Sequence, residues 1–432
     1  MASIRPFQGI MYDPSHVDLG QVVAPPYDII TPDDQQRYYR QDPRNVVRLI
    51  AGEVRPSDGP EDNKYTRAAG FFQEWLASGV LRREPEPGAY IYEERFHDPL
   101  RDTVRRRVGI LCVVELEPFG TGILAHERTH ARAKADRLSL TRAVGANLSP
   151  VFALFQDPAH AVQRLVEPVM QEAPRLSITL DDDEQHRVWS LPKDDRFREI
   201  AAILRDSRLF MADGHHRYET ALNYRNRQRL EHPDAPPDAA FNFVLTLLVD
   251  VDDPGLLILP THRLMRDLDQ FDGHNLLRRL AASESVTARA DRTGLLAAMQ
   301  DGGRHRVGIA LPGGTRATVD LRDPADATDP VARLDVTLLH RDILEKQLGL
   351  EESVLDEERY LTYSRDPDFV LDQVEAGEAQ AAFLLRAPAV SDVVAVAGAG
   401  RVMPQKSTYF FPKPLSGIVF NPLDPAIRVP EA

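Results

Sequence analysis

Cysteine is almost missing from this chain of 432 residues: Cys112 is the only one. A single thiol excludes an internal disulfide and a cysteine-rich zinc site. It stands in "VGILCVVEL", which reads as a buried strand, so Cys112 is expected to be a small core residue. Long hydrophobic runs are missing too. No stretch of about 18 apolar residues occurs, which excludes a membrane-spanning helix. The opening "MASIRPFQGI" lacks the apolar segment of a secretory signal, so the cytoplasm is the expected compartment. Positive charge is in deficit, with 52 Lys and Arg against 66 Asp and Glu and a net charge of −14. Such a surface repels a phosphate backbone, so the expected partners are small molecules, with no nucleic acid and no membrane. Two catalytic signatures are absent as well: there is no G-x-x-x-x-G-K-[ST] phosphate loop and no G-x-S-x-G elbow.

What is present describes a globular protein. Apolar residues make up 43% and charged residues 27%, and the length suits two or three domains. Pro- and acid-rich stretches at 53–64, 231–239 and 322–330 read as surface loops. Between them, 64–81 has helical spacing and reaches a glycine after its last turn. "AYIYEERF" with "RRRVGILCVVEL", and "RLSITLDDDEQHRVWSLP", read as hairpins. "NFVLTLLVDV" and "LLILPTHRL" are strand-like, and "VARLDVTLLHRDILEKQLGL" is an amphipathic helix followed by strand, helix and strand candidates from 358 to 386. Helices interleave with hairpins, so the expected class is α+β (mixed α/β), not a doubly wound sheet. Three regions are expected: 1–120, 121–265 and 266–432.

The chemistry-bearing pattern is "FMADGHHRYETAL" (210–222). An apolar run from Leu209 to Ala212 precedes Asp213 and Gly214, and Tyr218, Ala221 and Leu222 then fall on one helical face. A strand-to-helix turn exposes unpaired N–H groups at the positive end of the helix dipole, a seat for an anion. Gly214 permits close approach. Arg217 offers a forked cation, and His215 and His216 can donate hydrogen bonds or carry a proton near neutral pH. Asp213 alone could equally be a helix cap.

A second pattern, His126-Glu127-Arg128-Thr129-His130, matches the H-E-x-x-H zinc signature. That chemistry needs both histidines on one helix. Here the motif follows "EPFGTGILA" and precedes the basic "ARAKADRLSLT", so a charged loop is expected, with Glu127, Arg128, Lys134, Asp136 and Arg137 facing a polar site.

Taken in order, "APPYD" (24–28), "HERT" (126–129), "DRL" (136–138), "ADGHHRYETA" (212–221), "LPTHR" (259–263) and "MPQKSTYFFPK" (403–413) resemble a bacterial family labelled domain of unknown function ten-fifteen. The resemblance runs from residue 6 to about 420. The Asp-Gly-His-His-Arg turn is also similar to a box of the ParB/sulfiredoxin superfamily, which includes free-serine kinases. That likeness implies a ParB/sulfiredoxin-like nucleotide-binding core with additional α+β elements. It implies that Gly214, His215, His216 and Arg217 hold phosphates, with ATP or ADP and Mg as cofactors. Sulfiredoxin places a catalytic Cys in this turn, where this chain has histidine.

The remaining motifs are read beside it. The rigid Pro25-Pro26 turn would set Tyr27 and Asp28 at a cleft edge. His262 and Arg263 stand at a strand end, where open sheets place ligand groups. Lys406 is expected to reach phosphate from a closing segment that also carries Lys413. The expected function is therefore a Mg-dependent phosphotransferase between a nucleotide and a small hydroxylated metabolite, with serine the acceptor the resemblance implies. Glu127 is the general base, Asp213 the magnesium ligand or helix cap, and Arg128, Arg137, His262 and Arg263 contact substrate with Tyr27 and Asp28. A phosphoserine-type phosphatase, a non-enzymatic nucleotide-binding regulator and zinc hydrolysis are the alternatives.

Overall fold

A computed structural model describes residues 3–129, 131–180, 183–301, 305–324, 328–350 and 360–432. The chain divides into two compact units, the first running to Leu256 and completed by Pro412–Ala432, the second Leu257–Phe411.

The first unit is built on nine strands: β1 (Ile4–Arg5), β2 (Gly88–His97), β3 (Val104–Glu115), β4 (Ile123–Leu124), β5 (Val151–Phe155), β6 (Leu176–Thr179), β7 (Gln185–Pro192), β8 (Leu209–Asp213) and β9 (Phe243–Asp250). Their order is β4-β8-β5-β9-β3-β2-β7-β6, with β1 added alongside β3. β2 and β3 form the expected antiparallel hairpin, pairing Tyr90 with Leu111 and His97 with Val104. β6 and β7 form the second. Two neighbour pairs are parallel, β8 with β4 and β9 with β5, so the sheet is mixed. Cys112 sits on β3 as a buried core residue, beside Ile91, Ala153, Met211 and Leu248.

Helix α1 (Lys64–Ala77) begins at an Asn63 capping box and ends at Gly79, whose φ of 77° is the left-handed stop the sequence suggests. Helix α2 spans Ala131–Val144, α3 Asp195–Arg205 and α4 His215–Glu231. Phe197, Ile200 and Leu204 of α3 and Tyr218 and Ala221 of α4 join the sheet core. α2 touches both α1 and α4. The expectation of a charged loop after "HERT" is corrected here: α2 is a helix. Its apolar stripe is thin, with Leu140 and Val144 buried, because it also meets its neighbours through polar side chains, Arg137, Asp136 and Lys134.

The second unit carries a six-stranded sheet whose neighbours are all antiparallel: β10 (His262–Met265), β11 (Ser285–Ala288), β12 (Arg306–Leu311), β13 (Thr315–Asp320), β14 (Leu361–Ser364) and β15 (Ala381–Leu384), in the order β11-β13-β12-β15-β10-β14. Leu295 and Met299, with Val370, Leu371 and Val374 from a second helix, cover its core. "LLILPTHRL" becomes two strands: Leu257–Ile258 pairs with Phe410–Phe411, and β10 joins the larger sheet. Pro260 lies in the break, where it cannot donate to a ladder. The amphipathic 335–348 segment contains a π-helical stretch, Leu339–Glu345.

The structure draws unit boundaries differently from the three expected regions. Strands from residues 4–115 and 123–250 share one sheet, β3 lying directly beside β9 and β2 beside β7, so no boundary falls near residue 120. The α+β class is as expected. No helix among the described residues is long and apolar enough to cross a membrane.

Candidate active site at the strand-to-helix turn

Four buried residues, Leu209–Ala212, carry β8 through the core, and Asp213 ends it. Gly214 then turns the chain with φ 88°, a left-handed conformation that costs an L side chain roughly 1–2 kcal/mol. The first intrahelical bond is Tyr218 N–H to Gly214 O at 2.9 Å. Gly214 provides no capping side chain, and the N–H groups of His215, His216 and Arg217 precede the helical ladder. Tyr218 is buried, and its hydroxyl donates to Glu117 O at 2.7 Å, pinning the first turn.

Charge converges on Asp213. Its Oδ2 accepts from Arg217 one turn along, and its Oδ1 meets Lys413 Nζ. Lys413 also lies 3.5 Å from Asp28, and Arg217 donates to Pro150 O. Burial works to raise the Asp213 carboxyl, but Lys413 and Arg217 outweigh it and hold it below the ordinary carboxylate range. Burial works to lower the Lys413 ammonium, and Asp213 and Asp28 outweigh that, so it is raised. A Cβ on Gly214 would meet the Arg217 guanidinium at 3.1 Å. The close approach that the glycine permits is therefore to Arg217.

His126 and His215 are buried and uncharged. His126 Nδ1 lies 2.8 Å from Met211 O, and a carbonyl only accepts, so Nδ1 carries the proton. The His126 backbone N–H donates to His215 Nε2 at 3.4 Å. That leaves the His215 proton on Nδ1, 3.8 Å from Glu127 Oε2. The two rings meet edge to face at 4.8 Å. Burial lowers His126 to about 4, and burial, with His126 next to it, drives His215 well below the ordinary value. His215 is thus a neutral donor near pH 7, not a proton carrier. His216 is half-buried, and Glu127 is half-buried beside the turn.

The rest of "HERT" is tied to α4 through Glu219, which accepts from Thr129 Oγ1 and, at 2.7 Å, from Lys134 Nζ. Arg128 is exposed. Arg137 lies over the Tyr27 ring at 3.9 Å and donates to Ile50 O at 2.6 Å. Asp136, which pairs with Arg137, also accepts from Lys64 at 2.6 Å and Tyr65 at 2.8 Å. A cavity of about 50 Å³ lies against the first turns of α4, lined by Tyr27, Arg137, Asn147, Ser149, Arg217 and Thr220 among others. That is room for roughly three to five waters, or for one small anionic group.

The chain belongs to the family described as "Protein of unknown function (DUF1015)", whose model matches residues 4–337. No curated protein matches it. Among solved structures, the DUF1015 chain is similar to a conserved hypothetical protein from Pyrococcus furiosus, with 16% identity, 69% of this chain and 90% of that chain covered, and a TM-score of 0.33. It is similar to a free serine kinase in complex with ADP, with 13% identity, 69% and 87% covered, and a TM-score of 0.35. SbnI from Staphylococcus aureus, truncated at its C-terminus, follows with 10% identity, 72% and 84% covered, and a TM-score of 0.30.

The first unit of this DUF1015 protein brings together Tyr27, Asp28, Glu127, Arg137, Asp213, Gly214, His215, His216 and Arg217, with Arg128 on the adjoining exposed segment. His262, Arg263 and Lys406 belong to the second unit. Lys406 is exposed with φ 54°, and its backbone carbonyl, not its ammonium, meets Arg263 at 3.4 Å. The sequence reading missed Lys413 as a site residue: only the fold brings it to Asp213, 200 positions away. Glu219 was missed for the same reason: the fold brings it to Thr129 and to Lys134, which was expected to face a polar site.

His130 of the zinc motif lies outside the described residues. His126 and Glu127 precede α2 and are not on it, so they lack the helical spacing that zinc hydrolysis requires. Among the described residues, a group with metal-ligand spacing is Glu94, Glu184 and His186, where Arg107 already pairs with Glu94 at 2.6 Å. Magnesium at Asp213 does not fit this arrangement, because both carboxylate oxygens are taken by cations.

Proposed function

We propose that the protein is a small-molecule phosphotransferase working at the Asp213–Arg217 turn, with an adenine nucleotide, ATP or ADP, as donor and a small hydroxylated metabolite, serine first among them, as acceptor. The observation that supports it is an uncapped helix N-terminus flanked by two buried cations, Arg217 and Lys413. Oriented N–H groups and fixed cations stabilise a transferring phosphoryl group without further rearrangement. The adjoining cavity suits the phosphate or carboxylate end of a substrate and is too small for a whole nucleotide, so the base and sugar extend outside it.

Glu127 accepts the proton of the acceptor hydroxyl. Its carboxylate is half-buried and faces the His215 Nδ1–H, which orients it. The acceptor oxygen bonds to the terminal phosphorus, the bond to the donor oxygen breaks, and the hydroxyl proton passes to Glu127. No step is routed through magnesium at Asp213.

The test is a thermal-shift screen of the full chain, with magnesium in the buffer, against ATP, ADP, CTP, L-serine and O-phosphoserine, followed by turnover assays. A ligand bound only by the folded state raises the melting temperature. We expect a nucleotide shift in the wild type, the same shift in Glu127→Gln, and turnover lost in Glu127→Gln. A response to O-phosphoserine without nucleotide points to the phosphatase. Nucleotide binding with no acceptor turned over points to the regulator. Either result overturns the phosphotransferase.

A further inference from the structure

Arg263 of the second unit is 1% exposed, among the largest fully buried side chains. A guanidinium has five N–H donors and no acceptor, and a buried cation is ordinarily matched by a carboxylate. Among the described residues Arg263 has none. Nη1 donates to Thr261 O, Nη2 reaches Lys406 O at 3.4 Å, and the Tyr363 ring lies 5.5 Å away. Nε has no partner among the described residues. Two carbonyls and a ring face do not balance a buried charge.

Arg263 lines a cavity of about 370 Å³ formed within the second unit, a size ordinary for small-ligand sites. Two further guanidinium groups, Arg333 and Arg386, line the same space, with Thr261 and Ser407. The carboxylates on its wall are engaged. Asp335 pairs with Arg386 at 3.1 Å and with His305 at 3.2 Å, and Asp392 accepts from the Ala389 N–H at 3.0 Å. Three cations therefore face two committed carboxylates. Around Arg263, His262 is buried and His340 half-buried; both are neutral, and each has an Nε2 without a partner among the described residues. His340 sits in the π-helical stretch, a distortion that recurs at functional sites.

We infer that this cavity binds a small phosphorylated metabolite, with the phosphate against the guanidinium of Arg263 and the organic part filling the space toward Arg333. A forked guanidinium matches a phosphate through two parallel bonds, and the volume exceeds what the phosphate alone would fill. The site lies wholly within residues 257–411 and does not rest on the chemistry proposed for the Asp213–Arg217 turn.

The experiment titrates the full chain with inorganic phosphate and with pyrophosphate, at ionic strength held constant with chloride, following thermal shift and ³¹P line width. Arg263→Met, Arg333→Ala and Arg217→Ala are run beside the wild type. In the Arg217→Ala background, which removes a cation of the first-unit turn, we expect saturable binding to remain, about threefold weaker when Arg333→Ala is added and at least about tenfold weaker when Arg263→Met is added. Without ligand, Arg263→Met is expected to melt no lower than the wild type, because it removes an uncompensated buried charge, whereas a purely structural arginine would lower the melting temperature when removed. In the Arg217→Ala background, phosphate binding that survives the addition of Arg263→Met overturns the inference, as does a protein that does not respond to either anion. Arg333 is exposed, so its variant keeps the test decisive if Arg263→Met fails to fold: undiminished binding there also counts against the site.

Discussion

Lys413 and Asp213 form a buried ion pair across 200 residues of chain, joining the C-terminal segment to the turn that opens α4. Arg217 grips the other oxygen of the same carboxylate. One acidic side chain thus holds two cations beside an uncapped helix N-terminus.

Removing one partner of a buried pair leaves the other charge uncompensated, at a cost of about 3–5 kcal/mol. Lys413→Met should fall at the low end of that range, because Arg217 still partners Asp213. Urea unfolding of Lys413→Met, Asp213→Asn and the double variant should show the double costing less than the sum of the singles. Strict additivity would mean that the pair is not coupled.

Gly214→Ala places a Cβ at φ 88° and within 3.1 Å of the Arg217 guanidinium. The expected loss is about 1–2 kcal/mol from the backbone alone. The displaced Arg217 should also weaken any nucleotide-induced thermal shift. Equal melting temperatures for variant and wild type would contradict the turn geometry.

Buried histidines make the protein acid-sensitive. His126 is held at about 4 and His186 at about 3 by burial. Both take up protons at about pH 6.5 once unfolded. The unfolded state therefore binds more protons between these limits, and stability falls as pH drops from about 6.5 through 4. For His126 the loss is on the order of 3 kcal/mol. Urea midpoints at pH 7.5, 5.5 and 4.5 should fall in that order, and the slope should flatten in His126→Gln.

Asp136 contributes in a lower window. Burial works to raise it, but Arg137 and the hydrogen bonds from Lys64 and Tyr65 hold it at about 2. Its stabilisation is present above the unfolded carboxyl value of about 3.9 and disappears as pH falls through 2. Asp136→Asn should unfold at lower urea at pH 7, with the gap to the wild type closing below pH 3. A gap that persists at pH 2 would show that packing, not charge, is lost.

Much of the local structure was legible in the sequence. Alternation marked the β6–β7 hairpin, since a half-buried strand repeats every two residues, and apolar runs marked β2 and β3, which are buried on both faces. The Leu209–Ala212 run, Gly214 and the Tyr218–Ala221 spacing marked the strand, turn and helix, because each reports a backbone requirement of its own. Helix α2 was not legible, because much of its contact is made by salt bridges and hydrogen bonds, and its few buried apolar residues, Leu140 and Val144, make only a thin stripe.

What the sequence determined by itself was the mixed α+β class, the position of the turn and the identity of its basic residues, because periodicity and backbone constraints act over a few positions. Tertiary structure alone decided the rest. It paired Asp213 with Lys413, stacked Arg137 on Tyr27, turned His126 onto Met211 O, and placed Arg263 in the second unit without an acidic partner among the described residues. Those outcomes depend on which distant segments share a low-dielectric space, and local patterning carries no record of that.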